Sequence, residues 1–529
     1  MNMKQILLVL SFATPFATFL AAPLSAAIPE PVRLESGSVS GASTTDPGVR
    51  VFKGIPYAAP PVGDLRWRAP QPVAHWDGVR KADQFGPNCT AGGGGGRGGK
   101  GKGPGGGKGP TPAKAAPAGP PPGEDCLYIN VWTPAKTAGD RLPVMVWTYG
   151  GAFTSGSGAE PRYDGEALAK KGIVVVTYNY RLGMFGFLAH PDLTRESGHN
   201  ASGNYGLMDM AAALRWVQKN IAAFGGDPRK VTIDGESAGA ILVAAMVGSP
   251  EGKGLFQRAM AQSGAWMGLS IGKMRTLEQA EEAGKRAAGA HSIPELRALS
   301  TQEVAQAVTG VPAGIIVDGW MIPEDLSNTF AKGKQNDVDI LVGSNQDEGT
   351  FFGGGNTAAE AVRNRARQTY ADLADDFLKL YPAGNDTEAA ASSLMRSRDE
   401  TAWHMRTWAQ LQVKRGKKAY LYYFTRVPPG NGARGATHTA ELSYMFNNPP
   451  ANGSWTDVDH KLADMMSSYW ANFIATGDPN GKGLPAWQPY GSKNDGQAMV
   501  FGDAVQFGPQ IEVARLAFFD KYYATVQKH

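Results

Sequence analysis

Cysteine is nearly absent from this chain: Cys89 and Cys126 are the only two among 529 residues. No cysteine–histidine cluster has metal-ligand spacing, so a structural zinc is not indicated, and no other cofactor or metal is expected. Charged residues amount to only 19 % of the chain, against 42 % hydrophobic ones. That balance supports a sizeable buried core and excludes whole-chain disorder. Long apolar runs are missing beyond the N-terminus, which excludes later membrane spans. The excess of positive charge is +4, and its location argues against nucleic acid as a partner. Lys4 lies at the extreme N-terminus, and Arg97, Lys100, Lys102, Lys108 and Lys114 crowd one glycine- and proline-rich run. Without these six the balance turns negative, so the basicity belongs to a loop and not to a folded surface.

What is present begins with an export signal. Lys4 supplies a positive start, the residues from Ile6 to Leu20 are mostly apolar, and Ser25, Ala26 and Ala27 offer small residues for cleavage after Ala26 or Ala27. Residues 1–26 therefore read as a signal peptide, the rest of the chain as a periplasmic or extracellular protein without stable membrane insertion. In such a compartment Cys89 and Cys126 are expected to form one disulfide. Between them, residues 91–123 are low in complexity and carry no aromatic side chain, which predicts a flexible surface loop. The stretch Gly94 to Lys100 approximates a phosphate loop, but no Ser or Thr follows that lysine and no strand or helix flanks it.

The remainder, residues 27–529, reads as a single domain in which strands and helices alternate. Residues 143–148 and 173–178 are short apolar runs suited to buried parallel strands. Leu207, Met210, Leu214, Val217 and Ile221 recur at spacings of three and four, one apolar face of a helix that Gly225, Gly226 and Pro228 end. Residues 231–233 then read as a strand and 240–247 as a helix. This alternation predicts an α/β fold, a large and mostly parallel sheet with helices on both faces.

Gly235-Glu236-Ser237-Ala238-Gly239 falls between that strand and that helix. Glycine is so common here that the string alone says little, but strand, sharp turn and helix are what a nucleophile elbow requires. Ser237 is the candidate nucleophile, and its hydroxyl needs a base. His404, His438, His460 and His529 follow at a useful distance. The segments around His404 and His460 look helical and His529 is terminal. His438 lies beyond the strand-like residues 419–424 and a Gly/Pro-rich loop, where a catalytic base belongs. An acid should orient the imidazole. Asp347 and Glu348 follow the strand-like residues 339–343, and spacing alone does not choose between them. The turn Tyr149-Gly150-Gly151-Ala152-Phe153 closes the strand at 143–148, where N–H donors for an oxyanion are supplied upstream of an elbow.

With these residues identified, the chain closely resembles the type-B carboxylesterases, the cholinesterase-like branch of the α/β-hydrolases. The match runs from about Gly37 to about Tyr490, apart from the low-complexity loop. Phe52-Lys53-Gly54-Ile55-Pro56-Tyr57, Glu124-Asp125-Cys126-Leu127-Tyr128, Asn179-Tyr180-Arg181-Leu182-Gly183, Phe224-Gly225-Gly226-Asp227-Pro228, Gln262-Ser263-Gly264 and Asp347-Glu348-Gly349 carry it. The resemblance implies a Ser237–His438–Glu348 triad, with Glu348 and not Asp347 as the acid. It implies oxyanion donors at Gly151, Ala152 and Ala238, and a supporting buried network of Glu236, Ser263 and Glu441. It also implies a Cys89–Cys126 disulfide and an Arg66–Glu124 ion pair.

Three departures stand out. The loop between the cysteines lacks the aromatic residue that cholinesterases present to choline, which argues against a choline ester. Position 234 is Asp where the family carries an apolar or small residue, and Tyr149 replaces the commoner histidine. The expected activity is hydrolysis of a small-molecule carboxylic ester through an acyl-enzyme on Ser237. A non-catalytic adhesion protein on the same fold would be expected to lack part of the triad, and all three members are present. Phenolic esters such as feruloyl or galloyl esters, thioesters and amides would use the same machinery.

Overall fold

In a computed structural model of the chain, residues 28–92, 120–264, 274–351 and 358–526 are described. The expected signal segment and the central part of the low-complexity loop lie outside them. Among the described residues no helix is long and apolar enough to cross a membrane.

The strands are β1 (Val32–Leu34), β2 (Gly37–Ser40), β3 (Ala42–Ser43), β4 (Arg50–Pro56), β5 (Val79–Lys81), β6 (Tyr128–Thr133), β7 (Leu142–Thr148), β8 (Val174–Tyr178), β9 (Gly226–Glu236), β10 (Arg258–Gln262), β11 (Asp339–Asn345), β12 (Ala419–Phe424), β13 (Gln497–Phe501) and β14 (Val505–Pro509). β1, β2 and β5 form a small sheet of their own. The other 11 form one sheet in the order β14-β13-β12-β11-β10-β9-β7-β8-β6-β4-β3. From β8 to β13 the neighbours run parallel, and antiparallel strands flank both edges.

Runs of β-branched and aromatic residues explain the centre. Val174–Tyr178 (VVVTY) and Ala419–Phe424 (AYLYYF) are buried at every position, as strands covered on both faces must be. Successive side chains of a strand point to opposite faces. In β9, a Cβ on Gly235 would meet Gly239 of the helix Ala238–Gly248, whereas Asp234 faces Trp470 of the helix Asp457–Thr476. The two helices therefore cover opposite faces. The large mostly parallel sheet inferred from the sequence is thus the α/β-hydrolase sheet.

β9 is longer than the three residues that the sequence pattern marks, because it starts at Gly226 directly after the helix end. Gly225 takes the left-handed conformation there (φ 77°), which lets the chain reverse without a loop. Cys89 and Cys126 are disulfide-bonded with Cα atoms 5.0 Å apart. Arg66 and Glu124 form a buried, two-pronged ion pair with both N···O distances at 2.7 Å.

Candidate active site

The parallel strands end together, and the candidate residues leave from those ends. β9 runs into Ser237, which sits at φ 55° and ψ −122° before the helix Ala238–Gly248. Only tight packing keeps a serine there. A Cβ on Gly239 would lie 2.0 Å from Thr148 O, and one on Gly235 would lie 2.6 Å from the Gly239 backbone. The Ser237 N–H donates to Gln262 O at 2.9 Å, tying the elbow to β10. Ala238 is the first helical residue, so its N–H has no carbonyl one turn back.

Beyond β7, Gly151, Ala152 and Phe153 all take positive φ (102°, 54° and 60°). A Cβ on Gly151 would lie 2.2 Å from Ser155 O, so the turn admits only glycine at that position. The Gly151 carbonyl accepts the N–H groups of Thr154 (3.0 Å) and Ser155 (3.1 Å), which points it into its own turn. Tyr149 is buried and stacked on Tyr180, with ring centroids 4.6 Å apart, and the Tyr180 hydroxyl donates to Tyr149 O at 2.9 Å. That pairing shows how tyrosine is accommodated in place of histidine.

His438 is buried between two carboxylates. Its Nδ1 lies 2.6 Å from Glu348 Oε2, and its Nε2 lies 3.0 Å from Glu236 Oε1. Burial by itself would lower the imidazole pKa, but Glu236 and Glu348 raise it well above the usual histidine value. The other Glu348 oxygen, Oε1, accepts the Asn345 N–H at 2.9 Å. Spacing left Asp347 and Glu348 open; it is Glu348 that touches the ring. Phe351 packs over the imidazole with centroids 5.1 Å apart.

Glu441 connects to this group through Asn345, whose side-chain amide donates to Glu441 Oε2 and to Thr437 O (2.9 Å). Burial, then the Glu236 and Glu348 charges, push the Glu441 carboxyl well above the usual carboxylate range. Ser263 is buried at φ 54°, its N–H bonded to Gly343 O, but its hydroxyl makes no hydrogen bond among the described residues. Glu236 thus meets the histidine directly, and Glu441 is linked to it through Asn345 and Glu348. Asp234 is fully buried, with Gln262 Nε2 3.2 and 3.3 Å from its two oxygens.

His404 and His460 lie in the helices Asp386–Lys414 and Asp457–Thr476, as their sequence surroundings imply. Sequence reasoning missed Asn345, Asp347 as a structural partner, and Phe351. Their proximity to Glu348 was the only signal available. Among the described residues no group of His, Cys, Asp and Glu could hold a metal ion.

The family model for the carboxylesterase family matches residues 29–519. The fumonisin B1 esterase of Sphingopyxis macrogoltabida is 37 % identical over 501 residues, covering 91 % of this chain and 88 % of that protein. The para-nitrobenzyl esterase of Bacillus subtilis is 33 % identical over 490 residues, covering 87 % and 92 %. Among solved structures, a Geobacillus stearothermophilus carboxylesterase superposes with a TM-score of 0.75 at 32 % identity, covering 92 % of this chain and 99 % of the other. A PNB esterase gives 0.74 at 31 % identity with the same coverage. With the family model spanning residues 29–519 and esterase relatives covered over most of their length, the chain belongs to the carboxylesterase family and is a carboxylic ester hydrolase.

Proposed function

We propose that the chain is an exported serine carboxylesterase that works through an acyl-enzyme on Ser237. The observation that carries this reading is the buried imidazole of His438, held at Nδ1 by Glu348 at 2.6 Å, on strand ends shared with a serine in a strained elbow. Ser237 Oγ attacks the ester carbonyl while His438 Nε2 takes its proton. The negative charge that develops on the carbonyl oxygen is held by the N–H groups of Gly151, Ala152 and Ala238. His438 then returns the proton to the departing alcohol. Water repeats the sequence on the acyl-enzyme and releases the acid. Glu348 keeps the imidazole in the tautomer that presents Nε2 and offsets its positive charge.

Export is supported by the N-terminal pattern of Lys4, an apolar run and small residues, together with the disulfide. The names of the relatives motivate the substrates for a first panel: p-nitrobenzyl esters, fumonisin B1, and simple esters graded in acyl length. Ser237→Ala should abolish hydrolysis of every active member, a loss on the order of 10⁴-fold or more, with the fold intact. A fluorophosphonate should label the wild type at one site and leave the variant unlabelled. Turnover retained by the purified variant would remove the reading.

A further inference from the structure

Glu348 occupies the position facing the imidazole, yet its neighbour Asp347 is bonded to the chain that carries His438. The Asp347 N–H donates to Ala436 O at 3.0 Å, and the Ala436 N–H donates back to Asp347 Oδ2 at 2.8 Å. One residue thereby grips both backbone polar groups of Ala436, two positions before the histidine. The grip depends on an adjacent glycine. Gly435 sits at φ 63°, and a Cβ there would lie 2.1 Å from Asp347 Oδ2, inside the space that the carboxylate fills. Thr350 adds to the same contact: its hydroxyl lies 2.8 Å from both Arg434 O and Thr437 Oγ1. Asn345 closes the far side through Thr437 O.

The segment from Asn345 to Thr350 therefore holds the acid and the backbone leading to the base on one short frame. We propose that Asp347 is a positioning residue that fixes the His438 loop, so that the imidazole meets Glu348 and Glu236 together. The inference rests on His438 being the base. A misplacement of about 1 Å at a proton-transferring group can cost on the order of 10²-fold in rate, so a clamp on a loop residue has catalytic leverage without touching substrate.

The test compares Asp347→Asn with Asp347→Ala in the full-length enzyme, beside Ser237→Ala and His438→Ala. Asparagine keeps an oxygen that can accept the Ala436 N–H, whereas alanine removes it. Asp347→Ala should lower kcat about 10- to 100-fold with KM changed less than about threefold, and Asp347→Asn should remain within about threefold of wild type. The pH profile supplies the readout that a merely structural residue would not move. An imidazole that drifts from its two carboxylates loses their support, so the acid limb of kcat/KM should move to lower pH in Asp347→Ala and stay in place in Asp347→Asn.

Wild-type kcat and an unmoved limb in Asp347→Ala would overturn the proposal. So would equal damage from both substitutions, which would assign the effect to charge. Should Asp347→Ala not fold, Thr350→Val tests the same contact, with a smaller loss of kcat and the same direction of limb shift expected. An unchanged Thr350→Val would then count against the clamp. Activity surviving in Ser237→Ala or His438→Ala would instead sink the underlying mechanism, a separate result.

Discussion

The elbow around Ser237 and the loop around His438 face the same reaction but are built differently. Backbone contact holds the elbow: Gly235, Gly239 and Gly264 leave no room for a Cβ against Gly239, Thr148 and Ser237. No side chain caps the helix that starts at Ala238. The histidine loop is held instead by polar side chains reaching across from the end of β11: Asn345, Asp347, Glu348 and Thr350 bond to Thr437, Ala436, His438 and Arg434. A sterically built site fails all at once when a methyl group is added. A site built from hydrogen bonds should fail by degrees, each bond contributing about 0.5–1.5 kcal/mol.

The sharpest break of this contrast is Gly239→Ala. Its methyl group would sit 2.0 Å from Thr148 O, backbone that cannot turn aside, so β7 and the elbow would have to separate. Loss of soluble folded protein, or a destabilisation above about 3 kcal/mol with no esterase activity, is expected in thermal melts and assays. A stable, active Gly239→Ala enzyme would show that the elbow is not sterically fixed. Next in size is Glu348→Gln, which should cut kcat about 10²- to 10⁴-fold while the melting temperature changes little, since both hydrogen-bonding oxygens are not lost together. Asp347→Asn should lose far less, and the reverse ranking would move the acid role to Asp347. A smaller effect is expected from Glu236→Gln. Removing the negative charge 3.0 Å from His438 Nε2 lowers the imidazole pKa, and the base must be neutral to work. The acid limb of kcat/KM should therefore shift to lower pH, by about one unit. An unmoved limb would mean that Glu236 does not act on the histidine.

The same contrast explains how much was legible in the sequence. Steric building leaves a local trace, because glycine must recur at fixed spacing around Ser237 and at Gly150 and Gly151. The strand ends were readable for a related reason: residues 419–424 form an unbroken apolar run, and β12 has those bounds. A polar clamp leaves no such trace. Asp347 and Ala436 are 89 residues apart, and an aspartate beside a glutamate carries no mark of which one reaches the ring. Glu348 could be preferred over Asp347 only by resemblance. Resemblance likewise put Glu236 near the histidine, but which ring nitrogen it meets depends on the register of β9 against a distant loop and left no trace. Ser263 was grouped with Glu236 and Glu441 by family position, and among the described residues its hydroxyl makes no direct hydrogen bond. Family position fixes where a residue stands in the chain, not which way its hydroxyl turns.

Asp234 offers the finest test, because it places a carboxylate inside the region that otherwise depends on shape alone. Burial pushes its carboxyl from 3.8 up to about 7, with Gln262 opposing the shift only in part. The folded protein thus holds this proton at pH values where the unfolded chain has released it. Stability from this site is fully present below about pH 4 and declines as pH rises towards 7, since over that interval the unfolded state binds fewer protons. Above pH 7 the fold must contain an ionised carboxylate that is buried and has no cation beside it among the described residues, with Gln262 at 3.2 and 3.3 Å from its two oxygens. Asparagine is close in shape, still accepts from Gln262, and does not titrate. Asp234→Asn should therefore melt within about a degree of wild type at pH 4 but a few degrees higher at pH 8, corresponding to about 1–3 kcal/mol. Its kcat should stay near wild type if the elbow is held by shape. Parallel melting curves from pH 4 to 8 would show that Asp234 does not titrate in this range. A large fall in kcat would show that the elbow depends on charge after all.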